Sequence, residues 1–176
     1  MNVISPIKSI EEINLIKNLY KKKQQIPELV MFTLAINTGI DISSLLKLTV
    51  KNVKGKFYLE ISPRKTVPVD ERTRELISIL VKGRDTSEIL FLNKKGKRFD
   101  RMSLYVSFKE ICSELGLSEN YSVGSWRKTF AYHYYKKYKD LSFLMWLFNQ
   151  HSVELALRFI EEEENMNLRF REGVAL

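Results

Sequence analysis

Cysteine is nearly missing from this chain: Cys112 stands alone among 176 residues. A lone cysteine excludes an internal disulfide. Its place in "SLYVSFKEICSEL" puts it on the inner side of a helix, as a buried structural thiol rather than a nucleophile. Histidine is just as scarce. His133 and His151 are far apart in sequence, so a structural zinc site is not expected. No carboxylate cluster has metal-ligand spacing. No stretch approaches the roughly 20 apolar residues of a membrane-spanning helix. The start, "MNVISPIKSI", has no apolar run of the signal-peptide kind. These absences give the expectation of a cytoplasmic protein with no membrane partner. No repeat and no low-complexity linker interrupts the chain.

Positive charge is abundant. Lysine and arginine number 29 against 21 aspartates and glutamates, a formal net charge of +8. Such a field favours encounters with nucleic acid, although it also keeps soluble proteins apart. Hydrophobic residues make up 44% of the chain, enough for one domain of this length.

Periodicity sketches that domain. "SIEEINLIKNLYKKK" is an amphipathic helix, with Ser9 as cap and Glu12 placed to return the bond. "IPELVMFTLAINTG" is apolar through its middle and belongs at the centre of a core, with Gly39 at its end. "DISSLLKL" follows as a short helix capped by Asp41. Val50, Val53, Phe57, Leu59 and Ile61 are then spaced for strands, and "KTVPV" adds another. The expectation is a three-stranded antiparallel sheet. Helices follow again: one capped by Asp70, one over "RMSLYVSFKEICSELG", one carrying the Trp126–Phe130–Tyr134 stripe, then "DLSFLMWLF" and "SVELALRFIEEEE". The fold class is mainly α with a small antiparallel sheet.

That order resembles the catalytic domain of the tyrosine recombinases, the phage integrase family. Four regions carry the likeness: "NTGIDISSLLKL", "FYLEISPRKTVPV", "GSWRKTFAYHYY" and "FNQHSVE", spread over roughly residues 10 to 160. The resemblance implies one catalytic-type domain over 1–176, with its core at 9–160 and an acidic helix end and tail at 161–176. On that reading no amino-terminal core-binding domain is expected ahead of it. It implies phosphoryl transfer on double-stranded DNA without metal or nucleotide. A tyrosine attacks the phosphate, two arginines clamp its oxygens, a lysine serves the leaving oxygen and histidines assist.

Residue by residue, the match is broken. Asp41 stands where the first arginine is expected, Gly124 where a histidine is expected, and Phe159 where the tyrosine is expected. Arg127 matches the second arginine, Lys65 the hairpin lysine with Arg64 as a rival, and His151 the later histidine. His133, six residues beyond Arg127 on one helix, points away from it. Tyr134 belongs to the packed aromatic stripe. No tyrosine follows Tyr138. Phosphate contacts are expected from Arg64, Lys65, Lys94, Lys95, Lys97, Arg98, Arg127, Lys128, Lys136, Lys137 and His151.

Three functions stay open at this level. One is a DNA-binding protein that has lost catalysis, of the kind that regulates a phage or mobile element. Another is a working recombinase whose site is unusual or completed by a partner. The third is a protein-interaction module that self-associates, or binds a recombinase, through "NMNLRFREGVAL".

Overall fold

The centre of the molecule is set by one helix that is apolar nearly all round. In the computed structural model, which describes residues 4–161, this helix is α2, Ile26–Thr38. Its residues from Glu28 through Ile36 are buried. Such a helix must be covered on several sides. The cover comes from α1 (Ile10–Lys22), α5 (Glu71–Leu80) and α7 (Val123–Tyr138). The helix α6 (Arg101–Glu114) closes the far side against α1 and α7.

Aromatic rings lock these helices together. Phe32 of α2 meets Trp126 of α7 edge-on at 5.6 Å and stacks with Phe108 of α6 at 6.0 Å. Tyr20 of α1 reaches Phe32 at 6.3 Å. Each such pair adds roughly 0.5–1.5 kcal/mol beyond the area it buries. Cys112 is buried beside this cluster, and burial pushes its thiol pKa up to about 11.

Helix ends follow the caps legible in the sequence. Ser9, Asp41 and Asp70 each accept the backbone N–H three residues on. Glu12 does not return the bond to Ser9; its carboxylate instead accepts from the Tyr121 hydroxyl at 2.8 Å. This long-range contact ties α1 to the loop before α7.

The sheet has two strands rather than the expected three. β1 (Tyr58–Ser62) and β2 (Lys65–Pro68) form an antiparallel hairpin. The segment with Val50 and Val53 is instead the short helix α4, Val50–Val53, whose start is fixed by reciprocal bonds between Thr49 and Asn52. The reason is competition for backbone partners. Leu90 N donates to Leu48 O and Val50 N donates to Glu88 O, so residues 48–50 pair with 88–90 and not with the hairpin. Two apolar residues three apart suit one helical turn as well as a strand, and period alone does not separate them.

The remaining elements are α3 (Ile42–Leu45), α8 (Leu141–Phe148) and α9 (Val153–Phe159). The residues ahead of α1 lie along α7. Ile7 is fully buried; its N–H donates to the Thr129 hydroxyl at 2.9 Å, and its carbonyl lies 3.0 Å from His133 Nε2. The C-terminal segment expected to form an acidic helix end and docking tail lies outside the described residues beyond Glu161.

Gly39 ends α2 in the left-handed region, φ +70°, and a Cβ there would lie 2.6 Å from Cδ1 of Phe130. Gly96 has the same φ but nothing within 4 Å. Gly96→Ala should therefore cost about 1 kcal/mol, from backbone strain alone. Gly39→Ala should cost about 3 kcal/mol, because Phe130 must also move. Urea midpoints of the two variants check this difference.

Candidate nucleic-acid interface

Arg127 lies on the second turn of α7 and is half-buried. Its guanidinium carbon sits 4.4 Å from the ring centroid of Phe148, the last residue of α8. Its Nε is buried with no hydrogen-bond partner. Burial lowers the pKa of Arg127, and the nearby negative charge of Asp41 opposes that. The compensation is thus through-space attraction and a ring face, not a hydrogen-bonded fork.

Asp41 is held by its capping duty. Its carboxylate accepts from Ser44 N at 2.9 Å and from the Ser44 hydroxyl at 2.8 Å. Burial pushes this carboxyl up, but the bonds from Ser44 and the charge of Arg127 outweigh it and leave it below the usual aspartate range. Cap and counter-charge are the same side chain.

Phe148 is the hub of the site. Phe130 meets it edge-on at 6.4 Å and Phe159 lies tilted at 5.3 Å. The residue matching the expected tyrosine is therefore one ring removed from Arg127, and the rings touching Phe148 are phenylalanines. Lys128 Nζ sits 5.5 Å from the Phe159 centroid and donates to Ile4 O at 2.6 Å. Gly124 is beneath the same segment: a Cβ there would come 3.2 Å from Ile4 Cδ1. A histidine at 124 would need residues around Ile4 to shift.

Lys65 is half-buried and engaged within the chain. Its ammonium donates to Trp146 O and, at 2.6 Å, to Asn149 Oδ1, and lies 5.0 Å from the Trp146 ring. It therefore caps the carboxyl end of α8, where backbone carbonyls lack partners and a cation is favoured. Arg64 occupies the hairpin turn with φ 65° and is exposed. His151 is exposed between α8 and α9, and the capping of α9 falls to Ser152 rather than to His151.

The other expected phosphate contacts are dispersed. The basic turn with Lys94, Lys95, Lys97 and Arg98 is shaped by Asn93, whose side-chain oxygen accepts from Lys95 N and Lys97 N. Lys94 acts electrostatically on Glu28, in the first turn of α2. Asp41 lies just past the last turn of that helix, about 20 Å along its axis. Lys136 and Lys137 are two to three turns beyond Arg127 on α7, with their ammonium groups near the Tyr132 and Tyr138 rings. Tyr134 stacks on Phe143 at 4.6 Å, as its place in the stripe implied. Among the described residues no cluster of histidine, cysteine or carboxylates can hold a metal ion. None of their helices is long and apolar enough to cross a membrane.

Sequence reasoning did not single out Trp146, Phe148 or Asn149. The signal was the aromatic-rich end of "FLMWLF" followed by asparagine, a residue that tolerates the left-handed cap; Asn149 has φ 54°.

The chain matches the Phage integrase family over residues 7–165. It is similar to a probable integrase/recombinase of Bacillus subtilis (strain 168), YoeC, with 29% identity covering 94% of this chain and 93% of that protein. Its fold is similar to that of the Tn1549 transposon integrase in complex with circular intermediate DNA, with a TM-score of 0.78 and 14% identity over 96% of this chain and 64% of that one. XerA recombinase gives a TM-score of 0.75 at 16% identity, over 95% of this chain and 62% of that one. A lambda integrase dimer bound to a COC′ core site gives 0.69 at 15%, over 94% and 62%. This chain thus spans less than two thirds of those three solved chains. The likeness to them is one of fold: mainly helical with a small antiparallel sheet.

Lys65→Met should loosen the hairpin from α8. With charge-assisted bonds to the helix end removed, the loss is expected at about 1.5–3 kcal/mol in urea unfolding. A free turn lysine would cost nothing measurable.

Proposed function

This chain belongs to the phage integrase family, and on that premise we propose that it binds DNA but does not cut or join it. The observation that carries this reading is the environment of Arg127. A phosphoryl-transfer site needs an oxygen nucleophile and cations that gain strength as charge builds on the phosphate. Here the guanidinium lies over Phe148, which Phe159 backs, and within the field of the Asp41 carboxylate. No ring oxygen is available at residue 159. A phosphate approaching Arg127 would also meet the negative charge of Asp41.

Two observations support DNA as the partner. The net charge is +8, and the Tn1549 and lambda integrase structures that share the fold were solved with DNA. Lys128 and the basic turn supply sequence-independent phosphate contacts. Occupying DNA without cleaving it is the action of a regulator of a phage or mobile element, and that is the role proposed.

The decisive assay uses a nicked duplex that traps covalent intermediates. The purified chain should give no protein–DNA adduct on a denaturing gel, and neither should Phe159→Tyr alone, because Asp41 still stands where a clamp is needed. An adduct with the unaltered chain would overturn the proposal. Duplex affinity itself should fall roughly fiftyfold from about 50 to about 200 mM salt, as for some three phosphate contacts. Asp41→Asn keeps the cap and removes the charge; it should raise that affinity about threefold at low salt.

A further inference from the structure

A groove of about 860 Å³ lies between α1, α2, α5 and α7, away from Asp41, Lys65, Arg127 and His151. Its volume is in the range of small-molecule sites. Four cations border it: Lys17 and Lys21 from α1, Arg72 from α5 and Lys137 from α7. Two carboxylates, Asp70 and Glu75, are also present. Both oxygens of Asp70 are already engaged by Thr73 and Asn37.

The positive charges lie close enough to act on one another. Burial lowers the pKa of Lys17; Asp70 opposes this, and the charges of Lys21 and Arg72 lower it further. The side chains of Lys17, Lys21 and Arg72 make no hydrogen bond or ion pair with any described residue. Like charges gathered at a concave surface favour an anion there.

The other surfaces are of a different kind. Phe130, Tyr134 and Tyr138 present rings, with Leu29 and Ile36 beside them. Thr33 borders the groove and is 3% exposed, and its hydroxyl has no hydrogen-bond partner among the described residues. A buried hydroxyl left unpaired costs about 1–3 kcal/mol, a cost that a polar ligand atom in the groove would remove.

We propose that this groove binds a nucleoside phosphate, presented either free or at the end of a DNA strand. The phosphate meets Lys17, Lys21 and Arg72; the base lies against Tyr134 and Tyr138; Thr33 bonds a polar atom of the ligand. Duplex DNA is too broad and convex to enter. An acidic peptide would satisfy the cations but leave the rings unused. None of Arg127, Lys128, Lys94, Lys95, Lys97 or Arg98 borders the groove, so either proposal can fail alone.

The test is equilibrium dialysis of the full chain against deoxyadenosine 5′-monophosphate, a short oligothymidylate, inorganic phosphate and oligoglutamate. Saturable binding of the mononucleotide or the oligothymidylate is expected; the tighter of the two identifies the source. Lys21→Glu with Arg72→Glu, both exposed, should weaken binding at least about tenfold. Lys47→Glu with Lys51→Glu, both exposed and assigned to neither surface, makes the same charge change elsewhere and should leave it within about twofold. Thr33→Val should weaken binding while leaving the melting temperature of the free chain unchanged or raised, since it removes an unpaired hydroxyl. Absence of saturable binding would overturn the proposal. So would equal losses in both charge variants, or phosphate or oligoglutamate binding as tightly as the nucleotide.

Discussion

A guanidinium taken half out of water must be compensated, and the candidate interface is arranged around how Arg127 meets that requirement. The ring of Phe148 covers one face at 4.4 Å. Asp41 supplies the opposing charge. Neither partner is a substrate. The charge that a phosphate would seek is already partly answered from inside the chain, and each partner has a second duty that keeps it there. Asp41 caps α3. Phe148 carries Phe130 on one side and Phe159 on the other.

The fold brings these residues together through one close approach. Gly39 ends α2 and lets Phe130 press against its backbone. Phe130 then reaches Phe148, while α8 is tied to the hairpin by Lys65. Core packing, the turn into α3 and the carboxyl end of α8 are therefore coupled. A change at any of them reaches Arg127 through displaced packed rings, and at Asp41 through its charge as well.

Much of this was legible in the sequence, and unevenly so. Caps were readable because Ser9, Asp41 and Asp70 precede apolar periods at fixed offsets. The centrality of α2 followed from its unbroken apolar middle. The third strand was misread because Val50 and Val53 fit either period, and only the pairing of residues 48–50 with 88–90 decides between them. The departures at Asp41, Gly124 and Phe159 are expectations that rest on the family resemblance alone. What those residues do in space was not legible. That Lys65 serves α8, or that residues near Ile4 lie over Gly124, depends on contacts between residues about 80 and 120 apart. Local pattern carries no signal for such contacts.

If Arg127 is already committed to Asp41, the two must stabilise each other in the free chain. The direct measurement is a double-mutant cycle by urea unfolding, with Asp41→Asn, Arg127→Gln and the pair. A coupling of about 0.5–1.5 kcal/mol, lost as the pH falls through the depressed pKa of Asp41, is the predicted result. Additive losses with no coupling would mean that Arg127 stands free for a phosphate, and would contradict the account.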